Sequence, residues 1–250
     1  MIESSRVGSA VVLRMAHGKA NAFDTAFLRA LRDALDRAAH SEAPSLILTG
    51  SGKIFSAGVD LLKLAEGGRP YLEEFLPELS ACLWELFTFP KPAVAAVNGH
   101  AIAGGCLLAC ACDRRIMALG SGRIGVPELR VGVPFPLAAL EIMRFVLPPH
   151  RAQEIVLLGG TYEPEQALER GLIDETVAPE QLLERAQAVA EELAALPAVS
   201  FQRAKLDLRR PVTETWARHR AAHERETLEA WASPEVQSAV SAYVERTLKK

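Results

Sequence analysis

Two glycine turns and one carboxylate hold the chemistry of this sequence. The first turn is Phe55-Ser56-Ala57-Gly58-Val59-Asp60, the second is Asn98-Gly99-His100-Ala101-Ile102-Ala103-Gly104-Gly105-Cys106, and Pro127-Glu128 follows. Each turn lies where an apolar strand gives way to a helix, so each can aim a backbone N–H at one point. Two such donors can hold a developing enolate oxygen. Glycine is expected at Gly104 and Gly105 because a side chain there would block the path to the donor. Neither turn reads as a phosphate cradle: no lysine followed by Ser or Thr comes after the glycines, and the G-x-G-x-x-G spacing is absent.

The elements that must position these turns alternate between strand and helix. Ala10-Val11-Val12-Leu13 reads as a strand, and Asp24 as the N-cap of an amphipathic helix from Phe27 to Ala39. Ser45–Thr49 is a short buried strand leading to the first turn, and Ala93–Val97 another leading to the second. Such near-continuous apolar strands predict an α/β fold with a sheet covered on both faces. A helix is predicted from about Tyr71 to Phe89, ended by Pro90 and Pro92, with Gly67-Gly68-Arg69-Pro70 before it as a mobile connection and a potential lid. Strands at Arg114–Ala118 and Arg123–Val126 precede helices at Leu137–Val146, His150–Leu158, Glu165–Arg170 and Gln181–Leu196. Beyond Pro197 the chain is helical and charged, with Ser233 as an N-cap and Pro234 at the first helical position. A boundary near residue 197 divides a core, residues 1–197, from a helical region, residues 198–250.

Composition narrows the class. The 250 residues carry 28 basic and 31 acidic side chains, a net charge of −3, which gives no basic surplus for nucleic acid. The N-terminus lacks a basic segment followed by an apolar signal core, and no apolar run approaches a membrane span, so a cytoplasmic protein is expected. Cys82, Cys106, Cys110 and Cys112 form neither a disulfide ladder nor a complete metal set, and they read as buried thiols. His219 and His223 lie four apart on a helix without the intervening glutamate of a metalloprotease, and read as a solvated face.

Asn21-Ala22-Phe23, the two glycine turns, and Glu165-Gln166-Ala167-Leu168-Glu169-Arg170-Gly171-Leu172-Ile173-Asp174 together resemble the crotonase, or enoyl-CoA hydratase/isomerase, superfamily over essentially the whole chain. The resemblance implies a spiral of β-β-α units, acyl-CoA thioester substrates, a homotrimer or dimer of trimers, and a helical C-terminal region that mediates assembly. It places the oxyanion donors at the backbone N–H groups of Val59 and Gly104. Of the two catalytic glutamates of the family's hydratases, one position is Leu107 here and the other is Glu128.

That difference bears on the reaction. Adding water to a double bond divides its work between two carboxylates in this family, whereas moving a double bond from the 3,4 to the 2,3 position needs one base serving C2 and C4. A leucine beside that base would exclude water. Ala103-Gly104-Gly105-Cys106-Leu107-Leu108, with Asp113-Arg114-Arg115-Ile116, also resembles the Δ3,Δ2-enoyl-CoA isomerase branch. Glu128 is therefore expected to shuttle the proton, its pKa raised by an apolar pocket to roughly 6–7. Helix capping or pairing with Arg130 is its structural alternative.

For the coenzyme A moiety, which is part of the substrate, the resemblance places Lys19 and Ala20 near pantetheine or phosphates, and Ser56, Ala57 and Asp60 near the adenine. Leu61 and Leu107 are assigned to the acyl site. Tyr243 is assigned to stacking and Arg246 to a phosphate, both on the CoA of a neighbouring subunit. The distal acyl pocket is expected from the region Leu64–Leu79 with Phe135, Leu140 and Ile142. Arg203, Lys205, Arg209 and Arg210 could attract phosphates but are expected to face water, and His100 to cap or wall the pocket. Glu141 and Glu154 could supply a second carboxylate, which keeps hydration open beside decarboxylation and thioester hydrolysis. A binding or assembly protein is the non-enzymatic alternative. No metal and no separate cofactor is expected.

Overall fold

The structure, a computed structural model, describes residues 1–247. Its strands alternate between two sheets. β1 (Ile2–Val7), β2 (Ala10–Met15), β3 (Leu46–Gly50), β5 (Ala93–Val97), β7 (Arg114–Ala118) and β10 (Glu175–Val177) lie side by side in that order. The second sheet takes β4 (Ile54–Ser56), β6 (His100–Ile102), β8 (Ile124–Gly125) and β9 (Thr161–Tyr162). Three turns of a β-β-α spiral result: β3-β4 followed by α2 (Leu61–Phe87), β5-β6 by α3 (Gly104–Ala111), and β7-β8 by α4 (Glu128–Val131). Within each sheet these successive strands pair in parallel, Leu48 beside Ala95 in one and Ser56 beside Ala101 in the other. Every turn of the spiral thus delivers its strand-to-helix junction to the same side of the molecule.

The period-two pattern of the large sheet divides its side chains between two apolar layers. Leu46, Leu48, Ala95 and Val97 enter the main core, while Ile47, Val94, Ala96 and Ile116 meet Ala186, Val189 and Ala190 of α8 (Leu182–Ala194). Helix α1 (Thr25–His40) starts where Asp24 accepts the Phe27 N–H at 2.7 Å, and its Leu28, Leu31 and Leu35 stripe is buried. Four shorter elements, α5 (Leu137–Val146), α6 (Pro149–Leu158), α7 (Pro164–Arg170) and a turn of 3-10 helix (Pro179–Gln181), complete the part before Pro197.

Two expectations are corrected here. Gly67-Gly68 is a kink inside α2 rather than a loop before a helix: the helix begins at Leu61, ten residues before Tyr71, capped by Asp60 accepting from the Leu62 and Lys63 N–H groups, and Gly68 alone leaves helical geometry (φ +55°, ψ −154°). Lys205 and Arg209 do not face water. They lie on α9 (Ala198–Trp231), are nearly fully buried, and converge on Asp113, with Lys205 Nζ at 2.7 Å and Arg209 Nη2 at 2.9 Å from its oxygens. Asp113 also accepts the Ala93 N–H at 2.8 Å, and Arg209 reaches the Phe87 carbonyl. Desolvation lowers the Lys205 pKa to about 8. This cluster docks α9 on the chain's own core, where Val212, Trp216, Trp231 and, from α10 (Pro234–Thr247), Val240 and Val244 join the main apolar layer.

Replacing Asp113 by Asn leaves two buried cations without a counter-charge. The expected loss is about 3–5 kcal/mol, read by urea denaturation at neutral pH.

Candidate functional site

The first turn is held by the strap Asn21-Ala22-Phe23. Asn21 adopts φ +48° and its side chain accepts the His17 N–H at 2.8 Å while donating to the carbonyls of Ile54 and Phe55. Ser56 Oγ donates to the Asn21 carbonyl at 2.8 Å and accepts the Gly58 N–H at 3.0 Å. Phe23 then bridges the turn, its N–H donating to the Gly58 carbonyl and its carbonyl accepting the Asp60 N–H, so Val59 is fixed between two hydrogen bonds. The Val59 N–H itself has no acceptor among the described residues.

The second turn leaves β6 through Ala103, whose φ of +53° and ψ of −124° are a glycine-like conformation at a residue with a Cβ. A conformation of that kind costs about 1–3 kcal/mol and is held by its surroundings. Ala103 donates to the Gly125 carbonyl at 2.8 Å and accepts from Leu107, which starts α3 at Gly104. The Gly104 N–H also has no acceptor among the described residues. The two turns touch: a Cβ on Gly58, itself at φ +78°, would stand 2.7 Å from the Ile102 carbonyl oxygen and 2.9 Å from the Gly104 nitrogen. The reason for glycine at 104 and 105 differs from the one expected. A Cβ on Gly104 would strike the Phe23 ring at 2.5 Å and one on Gly105 the Ser56 carbonyl at 2.4 Å. The glycines let the two turns pack together.

Glu128 opens α4 on the third junction, 7% exposed. Its carbonyl accepts the N–H groups of Gly132 and Val133, which pins the short helix. Its Oε2 is buried without a hydrogen-bond partner among the described residues. Burial raises its pKa to about 8, opposed only by its own backbone N–H. The value exceeds the expected range because no other group supports the charged form. It does not pair with Arg130, whose Nε donates to the Leu158 carbonyl at 2.8 Å.

Val59, Gly104, Leu107 and Glu128 line one cleft, together with Ala57, Leu61 and Tyr243. The remaining walls are apolar: Leu79 and Leu83 of α2, Val131, Val133, Pro136, Ala139 and Trp231. Glu128 is the single carboxylate among its described lining residues. Glu141 is held by Arg144 at 2.7 Å and Glu154 by Arg151 at 2.6 Å, both away from the cleft. Phe135 and Ile142 belong to the core, and Leu140 opens on a separate depression between α5 and α6. Tyr243, assigned from sequence to a neighbouring subunit's site, stands on the cleft of its own chain, with the Arg246 guanidinium 5.7 Å from its ring centre. Trp231, which no local sequence pattern marks as a cleft residue, sits at the end of α9, and its Nε1 donates to the Pro134 carbonyl.

Of the residues assigned to CoA, Lys19, Ala20, Ser56, Ala57 and Asp60 lie around the first turn, and of these five Ala57 alone lines the cleft. The Ala57 N–H donates to the Ala20 carbonyl at 2.9 Å, Lys19 is exposed, Ser56 is buried within the turn, and Asp60 caps α2. His100 accepts the Arg123 N–H at its Nδ1. Among the described residues, no group of His, Cys, Asp and Glu is arranged to hold a metal ion.

A β-β-α spiral that brings two turns with unpaired N–H groups beside one buried carboxylate is an arrangement able to hold an oxyanion next to a general base. A family model described as enoyl-CoA hydratase/isomerase matches residues 7–250. The chain belongs to the enoyl-CoA hydratase/isomerase family. A solved Mycobacterium tuberculosis structure called an enoyl-CoA isomerase is 32% identical, with TM-score 0.79 and 96% and 97% of the two chains covered. The human mitochondrial Δ3-Δ2-enoyl-CoA isomerase superposes with TM-score 0.95 over 99% and 98% of the chains, at 24% identity a likeness of fold. The 2,3-dehydroadipyl-CoA hydratase of Escherichia coli is 38% identical over 115 residues, 45% of this chain and 44% of its own. The matched segments span between 42% and 64% of the lengths of the first three curated relatives.

Because the native carboxyl holds its proton between its ordinary pKa and about 8 while an unfolded glutamate does not, Glu128 lowers stability as pH rises through that window. Glu128→Gln is expected to add about 2–4 kcal/mol to stability at pH 9 and to leave it nearly unchanged at pH 4, read by urea denaturation at both pH values.

Proposed function

We propose that this enzyme moves the double bond of a 3-enoyl-CoA to the 2,3 position with Glu128 as its one base. The observation that carries this reading is the cleft itself, in which the described lining holds one carboxylate, with Leu107 in place of a second. The Glu128 carboxylate removes a proton from C2. The electron pair moves onto the thioester oxygen, which accepts hydrogen bonds from the Val59 and Gly104 N–H groups. The dienolate then collapses as the Glu128 carboxylic acid returns the proton at C4. Two positions on one short acyl segment are within reach of a single carboxyl group on a fixed helix N-terminus. Leu107 keeps water from the conjugated product.

The Mycobacterium tuberculosis relative is called an enoyl-CoA isomerase in one solved structure and a probable enoyl-CoA hydratase in another, so its name favours neither reaction. Relatives named as hydratases favour a second one, hydration of the 2-enoyl thioester. That reaction draws on a second carboxylate, and the two candidates for it, Glu141 and Glu154, are bound by arginines elsewhere. The pantetheine or phosphates would run past Lys19 and Ala20 and the adenine past Ser56, Ala57 and Asp60, with Arg246 near a phosphate. Exposed Leu157 and Leu158 of α6 offer apolar surface for assembly into a trimer or a dimer of trimers.

Incubation with a 3-enoyl-CoA and, separately, a 2-enoyl-CoA distinguishes the reactions. Isomerisation gives conjugated thioester from the first and no 3-hydroxyacyl-CoA from the second, followed by absorbance and mass. Rapid hydration of the 2-enoyl thioester would overturn the one-base reading. Glu128→Gln is expected to lower kcat by roughly 10²–10⁴-fold. In the wild type, kcat/KM should fall about tenfold per pH unit below the Glu128 pKa of about 8, since the base acts deprotonated in the free enzyme.

A further inference from the structure

Glu128 has no side-chain partner to aim it. Its Oε2 makes no hydrogen bond among the described residues, and α4 is a single turn, too short to hold its own geometry. The place of the carboxyl is therefore set by what α4 is attached to. On the exposed side, Arg130 ties the helix to the Leu158 carbonyl of α6. On the cleft side, α4 ends at Gly132, in the left-handed region at φ +96°, and runs through Val133-Pro134-Phe135-Pro136 before α5 begins. Val133 and Pro136 wall the cleft.

This exit segment has little hold of its own. Pro134 and Pro136 lack an N–H, and Phe135 enters the core, where apolar packing carries no direction. The hydrogen bond from Trp231 Nε1 to the Pro134 carbonyl, at 2.9 Å, is the one that Pro134 and Phe135 form among the described residues. Its donor is firmly placed: Trp231 is 1% exposed, and its own carbonyl accepts from Gln237 Nε2 of α10 at 2.8 Å. Helix α10 also presses on the exit, since a Cβ on Gly132 would stand 2.6 Å from the Ala239 Cβ. Trp231 lines the cleft together with Glu128, so one indole both fixes the segment leaving α4 and keeps water from the carboxyl. The other titratable groups around Glu128 are the Tyr243 phenol, on the cleft wall, and the buried Cys106 thiol of α3, whose ionisation the Glu128 charge opposes.

We infer that Trp231 is a positioning residue for Glu128, acting through its hydrogen bond to the Pro134 carbonyl on the loop that leads out of the base's helix. The inference rests on the reading of Glu128 as the base and adds to it a residue of the C-terminal helices on which the base's reach depends. A carboxyl that must serve two carbons of one acyl segment from a fixed helix tolerates little displacement, and a shift of α4 affects turnover before it affects binding of the thioester.

Trp231→Phe keeps an aromatic ring and removes the N–H. The Pro134 carbonyl then turns to water, which loosens the exit segment and hydrates Glu128. For the enoyl thioester that the wild type converts, kcat is expected to fall by roughly 10–100-fold with KM within about twofold. The Glu128 carboxyl, followed by carbon-13 NMR of glutamate-labelled protein and assigned by its absence in Glu128→Gln, is expected to titrate roughly one pH unit below the wild-type midpoint of about 8. Benzothienylalanine introduced at position 231 by amber suppression puts sulfur in place of the N–H at nearly the same volume, and it decides the matter where circular dichroism shows Trp231→Phe unfolded. A role confined to packing lowers the denaturation midpoint alone. In a folded variant, an unchanged kcat, or a lower kcat with the Glu128 midpoint unmoved, would overturn the inference and leave Glu128 as the base. Wild-type turnover by Glu128→Gln, or conversion of neither enoyl thioester by the wild type, would overturn the base reading and the inference with it.

Discussion

The contact between the Gly58 and Gly104 turns is the constraint on which the rest of the site depends. Their backbones approach so closely that a Cβ on Gly58 would overlap the Ile102 carbonyl and the Gly104 nitrogen. The turns belong to consecutive loops of the spiral, β4 to α2 and β6 to α3, so their approach requires β4 and β6 to pair in parallel. That pairing follows from β3 and β5, whose fully buried strands fix the register from which both junctions extend. The apolar layers of the large sheet thereby position two N–H groups that no described residue accepts. Ala103 shows the tightness of the arrangement, since it holds a glycine-like conformation where the packing leaves no other path.

A buried carboxylate without a partner opposes folding, and its retention places function above stability at that position. The fold meets this cost by keeping Glu128 on a short helix whose backbone is well bonded and by keeping charged neighbours away. Arg130 turns outward to Leu158, and the arginines near Glu141 and Glu154 are already paired. A cation beside Glu128 would lower its pKa and weaken it as a base for a carbon acid. The apolar cleft thus raises the basicity of its one described carboxylate, and on the proposed reading it also receives the acyl chain.

The local signals in the sequence were legible where one residue type has one physical use. Asp24 before an amphipathic run gave the start of α1, and Ser233-Pro234 gave the start of α10, with Ser233 Oγ accepting the Val236 N–H. Glu128 stood out because a carboxylate after proline, downstream of two glycine turns, had few bland roles. Signals requiring a distant partner were not legible. Lys205 and Arg209 read as surface charges because nothing local shows that Asp113, over ninety residues earlier, lies beneath them. Gly67-Gly68 read as a loop, because Asp60 as a cap and Leu64 as a buried position only make sense once α2 is seen to continue through the kink. Gly105 reads from sequence as part of a ligand path, whereas in α3 it faces the Ser56 carbonyl of β4.

The C-terminal helices connect these levels. Pro197 separates α8 from α9, which then runs for 34 residues with its Lys205 and Arg209 bound to Asp113 and its Trp231 to the Pro134 carbonyl. Asp113 also receives the N–H of Ala93, the first residue of β5, so the anchor of α9 and the strand leading to the second turn share one carboxylate. At the other end Trp231 and, on α10, Tyr243 close the cleft beside Glu128. The helical region therefore does more than cover the spiral. Its placement depends on the same strand that places Gly104, and it supplies the wall that makes the Glu128 environment apolar. A change at the Asp113 cluster would reach the cleft through α9 as a shift of Trp231, which stands in the cleft wall.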